Sequence, residues 1–200
     1  MATKAVTSKA KRGRDGITLG SGKLYAVPYT DTVPNTLEAV KALCIEANRL
    51  GFIKGGATLS YTQETYEEKD DLGYVHKIIT TEEEAVLKAG LLTWNGTALK
   101  TMIDRCQVTE GDGVRITKIG GANNAQGGYY VVIFHHEDKT DGDVWIGIVG
   151  RNTAGAEFVF STDAGTQVEP EFKAIPCDDD GTLVQMFEET GAVPALPSAS

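Results

Sequence analysis

The chain contains no apolar run long enough to cross a lipid bilayer; one of its longest, Tyr129 to Phe134, spans six residues. Its first residues are not a secretory signal, because Lys4, Lys9 and the basic residues after them leave no hydrophobic region. Its three cysteines are widely spaced and form no Cys-x-x-Cys pattern, which disfavours a disulfide framework and a structural zinc site. We therefore expect a protein without a membrane span that acts or assembles in the cytosol.

Catalytic motifs are also missing from the sequence. It has no Gly-x-Ser-x-Gly nucleophile motif. Gly20-Ser21-Gly22-Lys23 matches a phosphate-binding loop only in part, because Leu24 stands where a Ser or Thr must contact magnesium. The carboxylate pairs lie in polar runs, where nothing indicates a pocket that would raise a pKa. The sequence therefore predicts a protein that is not an enzyme and that needs no cofactor.

A cluster of potential metal ligands spans His135-His136-Glu137-Asp138, with Asp141 and Asp143 close behind. Neighbouring residues of a strand point to opposite faces, so the two histidines are poorly placed to share one ion. A calcium-loop register with Gly142 at its sixth position puts Ile148 where the terminal carboxylate should be. We therefore predict a polar hairpin tip here and no metal site.

Charge is distributed unevenly along the chain. The formal net charge is -9; residues 1–16 carry five Lys/Arg and one Asp, or +4, so the rest carries -13. An acidic body disfavours a protein that grips nucleic acid, which needs cations. We predict a flexible basic arm at 1–16, a domain at 17–190 and a flexible Pro-containing tail at 191–200. The arm either docks on a neighbour's acidic surface or stays solvated.

Short segments rich in β-branched and aromatic residues predict a mainly β fold. Ala57 to Thr62 alternates between apolar and polar residues, as expected of a strand with one buried face. Gly, Asn and Asp mark the turns, and many short strands at regular spacing are typical of a sandwich or barrel. We place the other strands at Lys23–Tyr29, Val114–Ile119, Tyr129–His136, Val144–Val149, Glu157–Phe160, Glu171–Ile175 and Thr182–Phe187. Trp94, Trp145, Tyr129 and Tyr130 are expected to pack in the core.

Two segments have helical patterns, and two others are unusual. Thr97 to Cys106 has the buried stripe of a helix, with Asn95 or Thr97 as its cap, and Thr36 to Asn48 has a shorter helical signal. Gln63 to Thr80 is crowded with charge and is expected to be a long loop. Thr81 to Trp94 favours a helix by its residue types but a strand by its alternation of apolar residues.

Several short stretches, in order and spacing, resemble the major tail tube proteins of long, non-contractile-tailed bacteriophages (the siphophage type). They cover most of the chain from about Lys23 to Glu189. The stretches are Glu46-Ala47-Asn48-Arg49-Leu50-Gly51, Gly55-Gly56-Ala57-Thr58-Leu59-Ser60-Tyr61, Tyr66 through Gly73, Gly90-Leu91-Leu92-Thr93-Trp94-Asn95-Gly96 and Glu171-Phe172-Lys173-Ala174.

This resemblance implies an α+β, mainly β fold: a two-sheet β-sandwich or partly open barrel, one flanking α-helix at about 97–106, a long charged loop and extended terminal arms. It implies that Thr81–Trp94 is a strand and that 36–48 is extended, which the helical signal there contradicts. Subunits would form hexameric rings that stack into a tube, with the loop and arms as contacts. The candidate assembly residues are Lys11, Arg12, Arg14, Tyr66, Glu67, Glu68, Lys69, Asp70, Asp71 and Leu72.

The same resemblance implies a structural virion protein that self-assembles in the host cytoplasm into the phage tail. Tape-measure, tail-tip and tail-terminator proteins would be its partners. Genomic DNA would pass through an acidic lumen without specific binding during ejection. The alternatives are a β-sandwich binding or adhesion module and an inner-tube protein of a phage-derived injection machine.

Overall fold

The structure is a computed structural model of the chain. It describes residues 20–74, 76–124, 128–138, 141–160, 162–163 and 165–190. The predicted basic arm at 1–16, with Lys11, Arg12 and Arg14, lies outside the described residues, and so does the predicted tail at 191–200.

The described residues form nine strands, two short α-helices and two 3₁₀ turns. Strands β1 to β9 are Lys23–Pro28, Arg49–Lys69, His76–Leu91, Cys106–Gly111, Val114–Ile119, Tyr130–His136, Val144–Asn152, Glu171–Ile175 and Gln185–Glu188. Helices α1 and α2 are Leu37–Leu43 and Gly96–Met102, and the 3₁₀ turns are Glu46–Asn48 and Ala122–Asn124.

Seven of these strands form one antiparallel sheet that closes on itself. Its order is β6-β1-β2-β3-β8-β7-β9, and β6 also pairs with β7. One edge of β7 is shared, because Val144–Gly147 pairs with β9 and Val149–Asn152 pairs with β8. The β6–β7 pairing therefore closes six strands into a barrel, and β4 with β5 forms a second sheet. The mainly β fold with two sheets and a flanking helix is confirmed.

The sheet is buried on both faces along β1, β6 and β7. Val132 and Phe134 of β6 pack in the larger core cluster, together with Leu99 and Met102 of α2. Val131 and Ile133 point to the other face and pack with Val40 of α1. Adjacent strand residues alternate between faces, so a strand covered on both sides reads as a continuous apolar run.

Helix α1 confirms the first half of the helical prediction for Thr36 to Asn48. The Thr36 hydroxyl accepts a hydrogen bond from the Ala39 N–H at 3.2 Å and caps the helix. Buried Val40 anchors it on the sheet, and the chain continues as the 3₁₀ turn before β2. The extended segment implied by the resemblance is therefore wrong for residues 37–43.

Helix α2 begins as predicted and ends earlier than predicted. The Asn95 side chain accepts a hydrogen bond from the Ala98 N–H at 3.0 Å. The predicted stripe, including Leu99 and Met102, is buried. The helix stops at Met102, and Cys106 already pairs with Ile119 as the first residue of β4. Strand β4 was not predicted, and its first residue, Cys106, was assigned to the helix instead.

The ambiguous segment Thr81 to Trp94 is a strand over most of its length, within β3. Ala85, Leu87, Ala89 and Leu91 are all buried on one face, as the alternation of apolar residues predicted. The strand lies between β2 and β8, where burial outweighs the helical preference of alanine and leucine.

Strand β2 bulges where it passes the Gly55-Gly56 pair. The register shifts between Ile53 and Ala57, and both glycines have φ of +85°. Residues with a β-carbon rarely adopt this conformation, so glycine is required here. The bulge separates the part of β2 that pairs with β1 from the part that continues alone with β3.

The strand predicted at Glu157 to Phe160 is wrong, because residues 153–160 form no regular structure. The buried Asn152 side chain holds this segment by donating to the Gly155 carbonyl at 2.8 Å and accepting from the Glu171 N–H at 2.8 Å. Phe158 packs edge-on against Trp94, and Phe160 is exposed. The apolar residues therefore reflect one loop contact rather than strand pairing.

The aromatic residues expected in the core divide into three groups. Trp145 is buried, as predicted. Trp94 and Tyr130 are half-buried and pack against the larger core cluster. Tyr129 is exposed, with the Arg151 guanidinium 5.7 Å from its ring centroid, so its core assignment is wrong.

Replacing Phe172 tests the barrel closure, because this fully buried residue lies on β8, which joins β3 to β7. We expect Phe172→Ala to lower the free energy of unfolding by about 3–5 kcal/mol, measured by urea denaturation. The matched control is Phe160→Ala at a side chain that is 78% exposed, which should change stability little. Equal effects at both positions would contradict the core assignment.

Candidate assembly interface

The charged segment Gln63 to Thr80 is not a loop, which corrects the sequence prediction. Strand β2 continues to Lys69 and β3 begins at His76, so only residues 70–75 connect them. The two strands pair in register from Thr62 opposite Glu84 to Lys69 opposite His76, with one shift between Glu64 and Thr65. The segment is a two-stranded β-hairpin, and we call residues 61–83 the ribbon.

The strands of the ribbon were not predicted from the sequence because neither face of the ribbon is buried. Apolar and polar residues alternate only where one face of a strand packs on a core. All described ribbon residues except Asp70 are exposed, so this signal is missing. The remaining signal was the β-branched run Ile78-Ile79-Thr80-Thr81, which favours a strand.

The ribbon extends beyond the barrel and has two open edges. The eight residue steps from Tyr61 to Lys69 span roughly 27 Å in a β-strand. Strand β1 pairs with β2 only between Arg49 and Phe52, and β8 pairs with β3 only between Val86 and Lys88. Within the described residues, neither outer edge of the ribbon has a strand partner. Open edges of this kind are templates for pairing with another chain.

Exposed apolar side chains occupy both faces of the ribbon. Tyr66 lies opposite Ile79, and Ile78 lies opposite Glu67, so the two isoleucines point to opposite faces. Their exposed fractions are 53% for Tyr66, 46% for Ile79 and 56% for Ile78. Leu72 and Tyr74 at the tip are still more exposed. Large apolar surface of this kind marks sites of protein contact.

Hydrogen bonds along the faces order some of the ribbon's charged side chains. Glu67 Oε1 lies 2.7 Å from His76 Nε2. The Tyr66 hydroxyl donates to Glu68 and the Tyr61 hydroxyl donates to Glu83, and these hydrogen bonds raise the pKa of both tyrosines. The ribbon still carries seven acidic residues and two lysines, or -5: Glu64, Glu67, Glu68, Asp70, Asp71, Glu82 and Glu83 against Lys69 and Lys77.

Two ion pairs join the root of the ribbon to the barrel. Lys88 of β3 pairs with Glu171 of β8, and Lys173 of β8 pairs with Glu84 of β3. Each pair crosses between neighbouring strands on the exposed face. Exposed ion pairs contribute little to stability, so their main effect is to align the two strands.

The structure brings together one part of the predicted assembly set. Tyr66, Glu67, Glu68 and Lys69 lie at the end of β2, and Asp70, Asp71 and Leu72 lie in the connection that follows. Lys11, Arg12 and Arg14 lie outside the described residues. Four further exposed apolar residues of the ribbon lie outside the predicted set: Tyr61, Tyr74, Ile78 and Ile79.

The predicted hairpin tip around His135 is tied to the barrel. His135 stacks on Trp145 with centroids 4.6 Å apart, and its Nε2 lies 3.2 Å from Asp143 Oδ2. His136 is buried, with Nδ1 2.8 Å from the Ser21 carbonyl. The two histidines have separate partners, as the alternation of strand faces predicted. Across the part of the chain that the structure describes, no group of three or more His, Cys, Asp or Glu side chains is arranged to hold a metal ion.

The three cysteines are free thiols in poorly reactive surroundings. Burial raises the pKa of Cys44 to about 11 and raises the pKa of Cys106 and of Cys177. A nucleophilic cysteine needs a lowered pKa, so none of the three has the environment of a catalytic thiol.

A search against models of protein families finds no match, and a search of curated proteins finds no similar sequence. Neither helix in the described ranges is long or apolar enough to span a membrane.

Shortening the ribbon tests whether it belongs to the folding unit. We expect replacement of residues 64–82 by Asn-Gly, a good two-residue hairpin turn, to leave the free energy of unfolding within about 1 kcal/mol, because none of the side chains that the structure describes in this range is buried. Urea denaturation and far-ultraviolet circular dichroism measure this. Loss of the cooperative transition would show that the ribbon supports the barrel.

Burial lowers the pKa of His135 below 6.5, and this effect outweighs the opposing hydrogen bond that the imidazole makes to the Asp143 carboxylate. The unfolded chain therefore binds this proton more readily, so the stabilisation is complete above pH 6.5 and is lost as the pH falls toward the folded pKa. Between pH 7.5 and 5.5 we expect a loss below about 1.4 kcal/mol per pH unit.

The test is urea denaturation of His135→Gln across this pH range. This variant should show a flatter dependence of stability on pH than the parent chain. An unchanged dependence in His135→Gln would contradict the assignment.

Proposed function

We propose that this chain is a structural subunit that self-assembles into the tail tube of a long, non-contractile-tailed bacteriophage. The observation that carries the proposal is the ribbon, with two open edges and apolar side chains exposed on both faces. Such a surface is a hazard for an isolated monomer and a joining surface for an assembly. The ordered resemblance between Lys23 and Glu189 supports the particular class.

The division of the chain into a closed barrel and a projecting ribbon supports assembly by stacking. Six strands share their edges within the barrel, so pairing is already satisfied there. The ribbon, roughly 27 Å long, is suited to cross from one subunit to the next. In this proposal hexameric rings stack into a tube, and the ribbon bridges adjacent rings. Rings arise when a heterologous interface closes, and stacking then gives a filament.

The proposal includes the setting of the assembled tube. The protein acts in the virion tail after assembly in the host cytoplasm, where tape-measure, tail-tip and tail-terminator proteins are its partners. Genomic DNA crosses the lumen during ejection without specific binding. The net charge of -13 after residue 16 supports this, because an acidic wall repels phosphates. The role is structural, without catalysis or a cofactor.

Electron microscopy of the purified protein at high concentration tests this proposal. We expect hollow rods or rings from the parent chain, and monomers from the variant in which Asn-Gly replaces residues 64–82. The double variant Ile78→Thr/Ile79→Thr keeps the strand preference and charge of the ribbon and removes two apolar side chains, so it should assemble poorly.

The matched control is Ile116→Thr on β5, which removes an isoleucine that is 52% exposed and lies outside the ribbon. This variant should assemble like the parent chain. If Ile116→Thr reduced assembly as much as Ile78→Thr/Ile79→Thr does, the ribbon would have no special role in assembly. Monomers that persist even with tail-initiation partners would overturn the tube proposal in favour of a binding or adhesion module. The inner tube of a phage-derived injection machine would also appear as hollow rods. It would share the fold of the tail tube but would not conduct DNA.

A further inference from the structure

A cleft of about 460 Å³ lies between the 3₁₀ turn that precedes β2 and the first turns of α2. It is lined by Glu46 and Asn48 of the 3₁₀ turn, by Arg49 at the start of β2, and by Trp94 and Thr97 around the start of α2. The volume falls within the range of roughly 300–1,000 Å³ that is usual for small-molecule sites. The proposed tube assembly gives this cleft no role.

The shape of the cleft is fixed by contacts beneath it. The Phe52 N–H donates a hydrogen bond to Thr93 Oγ1 at 2.8 Å. A β-carbon on Gly51 would come within 2.0 Å of the Thr93 carbonyl oxygen, so glycine is required for this close approach. The Asn48 side-chain amide donates to the Leu43 carbonyl at 2.9 Å and anchors the 3₁₀ turn. The cleft is therefore largely formed before any ligand enters it, which reduces the entropy cost of binding.

An ordered pair of charged side chains supplies hydrogen-bond donors and acceptors side by side. The Arg49 guanidinium lies over the Phe52 ring, 4.0 Å from its centroid, and Nη2 lies 2.6 Å from Glu46 Oε1. The side chains of Arg49 and Glu46 are 18% and 77% exposed. A guanidinium has five N–H donors and a carboxylate accepts several hydrogen bonds, so their mutual contact leaves both with capacity for a ligand. Neighbouring hydroxyls, which both donate and accept, match such a pair.

Helix α2 and the residues before it add hydroxyl groups and an aromatic ring. Thr97 and Thr101 line the cleft and lie one helical turn apart, on one face of α2. Trp94 also lines the cleft, and its edge-on contact with Phe158, with ring centroids 5.0 Å apart, fixes its position. An indole combines a large apolar surface with one N–H donor. This combination suits a ligand that has hydroxyl groups around a ring with apolar C–H faces.

The charge of the lining favours a neutral ligand. Of the residues that the structure describes around the cleft, only Glu46 and Arg49 are charged, and they pair with each other. The net charge of -13 after residue 16 repels anions from the surface. A cation would meet a single carboxylate that already has a partner. The lining therefore disfavours phosphates, nucleotides and metal ions.

We infer that this cleft binds a neutral sugar unit. The Arg49 guanidinium and the Glu46 carboxylate bind neighbouring hydroxyls, and the Trp94 ring packs against an apolar face of the sugar. The inference goes beyond the proposed function and does not depend on tube assembly, because every residue of the cleft belongs to one chain.

Fluorine NMR of the full chain labelled with 5-fluorotryptophan tests this inference. The chain has two tryptophans, and Trp94→Phe assigns their resonances. The probes are glucose, galactose, N-acetylglucosamine, cellobiose, lactose and chitobiose, each added alone. We expect at least one of them to shift the Trp94 resonance saturably, while the resonance of buried Trp145 stays in place. Inorganic phosphate should shift neither resonance.

Matched variants locate the site. Arg49→Lys keeps the charge but removes the fork of donors, and Thr97→Val removes a hydroxyl with little change of shape. Each should weaken binding of the sugar that shifts Trp94 by at least about fivefold, because a hydrogen bond to the ligand is lost. Arg105→Lys and Thr109→Val make the same exchanges at exposed residues outside the cleft and should leave binding unchanged. Urea denaturation checks that all four variants fold.

Three outcomes would each overturn the inference: no saturable shift with any of the sugars, a saturable shift with phosphate, or equal losses in the cleft variants and their controls. The proposed function is tested separately by electron microscopy. Rods without sugar binding would leave the tube proposal standing and remove the sugar site. Sugar binding by a chain that forms no rods would support the sugar site and count against the tube.

Discussion

The continuous pairing of β2 with β3 is the constraint on which the rest of the structure depends. At one end these strands enclose Leu87 and Leu91 within the barrel core, and at the other end they carry exposed residues into solvent. Backbone pairing resumes after each of two register shifts and reaches Lys69 opposite His76, so burial of the root also sets the alignment of the tip. The two ends of the hairpin are therefore stabilised differently. Buried side chains stabilise the barrel end, whereas backbone hydrogen bonds between β2 and β3 stabilise the exposed ribbon.

The sequence predicted well the elements whose pattern arises from burial. Strands β5 and β8 have the predicted bounds, and the stripe of α2 is buried as expected. At Thr81 to Trp94 local preference and alternation of apolar residues disagreed, and the alternation gave the right answer because tertiary burial decides such cases. At Glu157 to Phe160 the apolar residues serve one contact with Trp94, which composition does not distinguish from a strand.

The candidate interface was harder to predict because it is defined by what it leaves unburied. Tyr66 to Leu72 were predicted as assembly residues from a resemblance, but the strand conformation of Tyr66 to Lys69 was missed because neither face of the ribbon packs on the core. Ile78 and Ile79 were passed over although they are β-branched. The pairing of Tyr66 with Ile79 depends on a register shift between Glu64 and Thr65, and only the three-dimensional structure reveals it.

In the proposed tube, that register shift has a consequence for how accurately neighbouring copies align. A uniform strand edge accepts an incoming chain in several slipped positions, and such slippage leads to amyloid-like growth. The extra residue at Thr81 interrupts the regular repeat along β3, so a slipped partner meets a mismatched hydrogen-bonding pattern. The irregularity thus distinguishes one pairing register from the slipped ones. In the proposed assembly, it favours a single alignment of the exposed hairpin against a neighbouring copy.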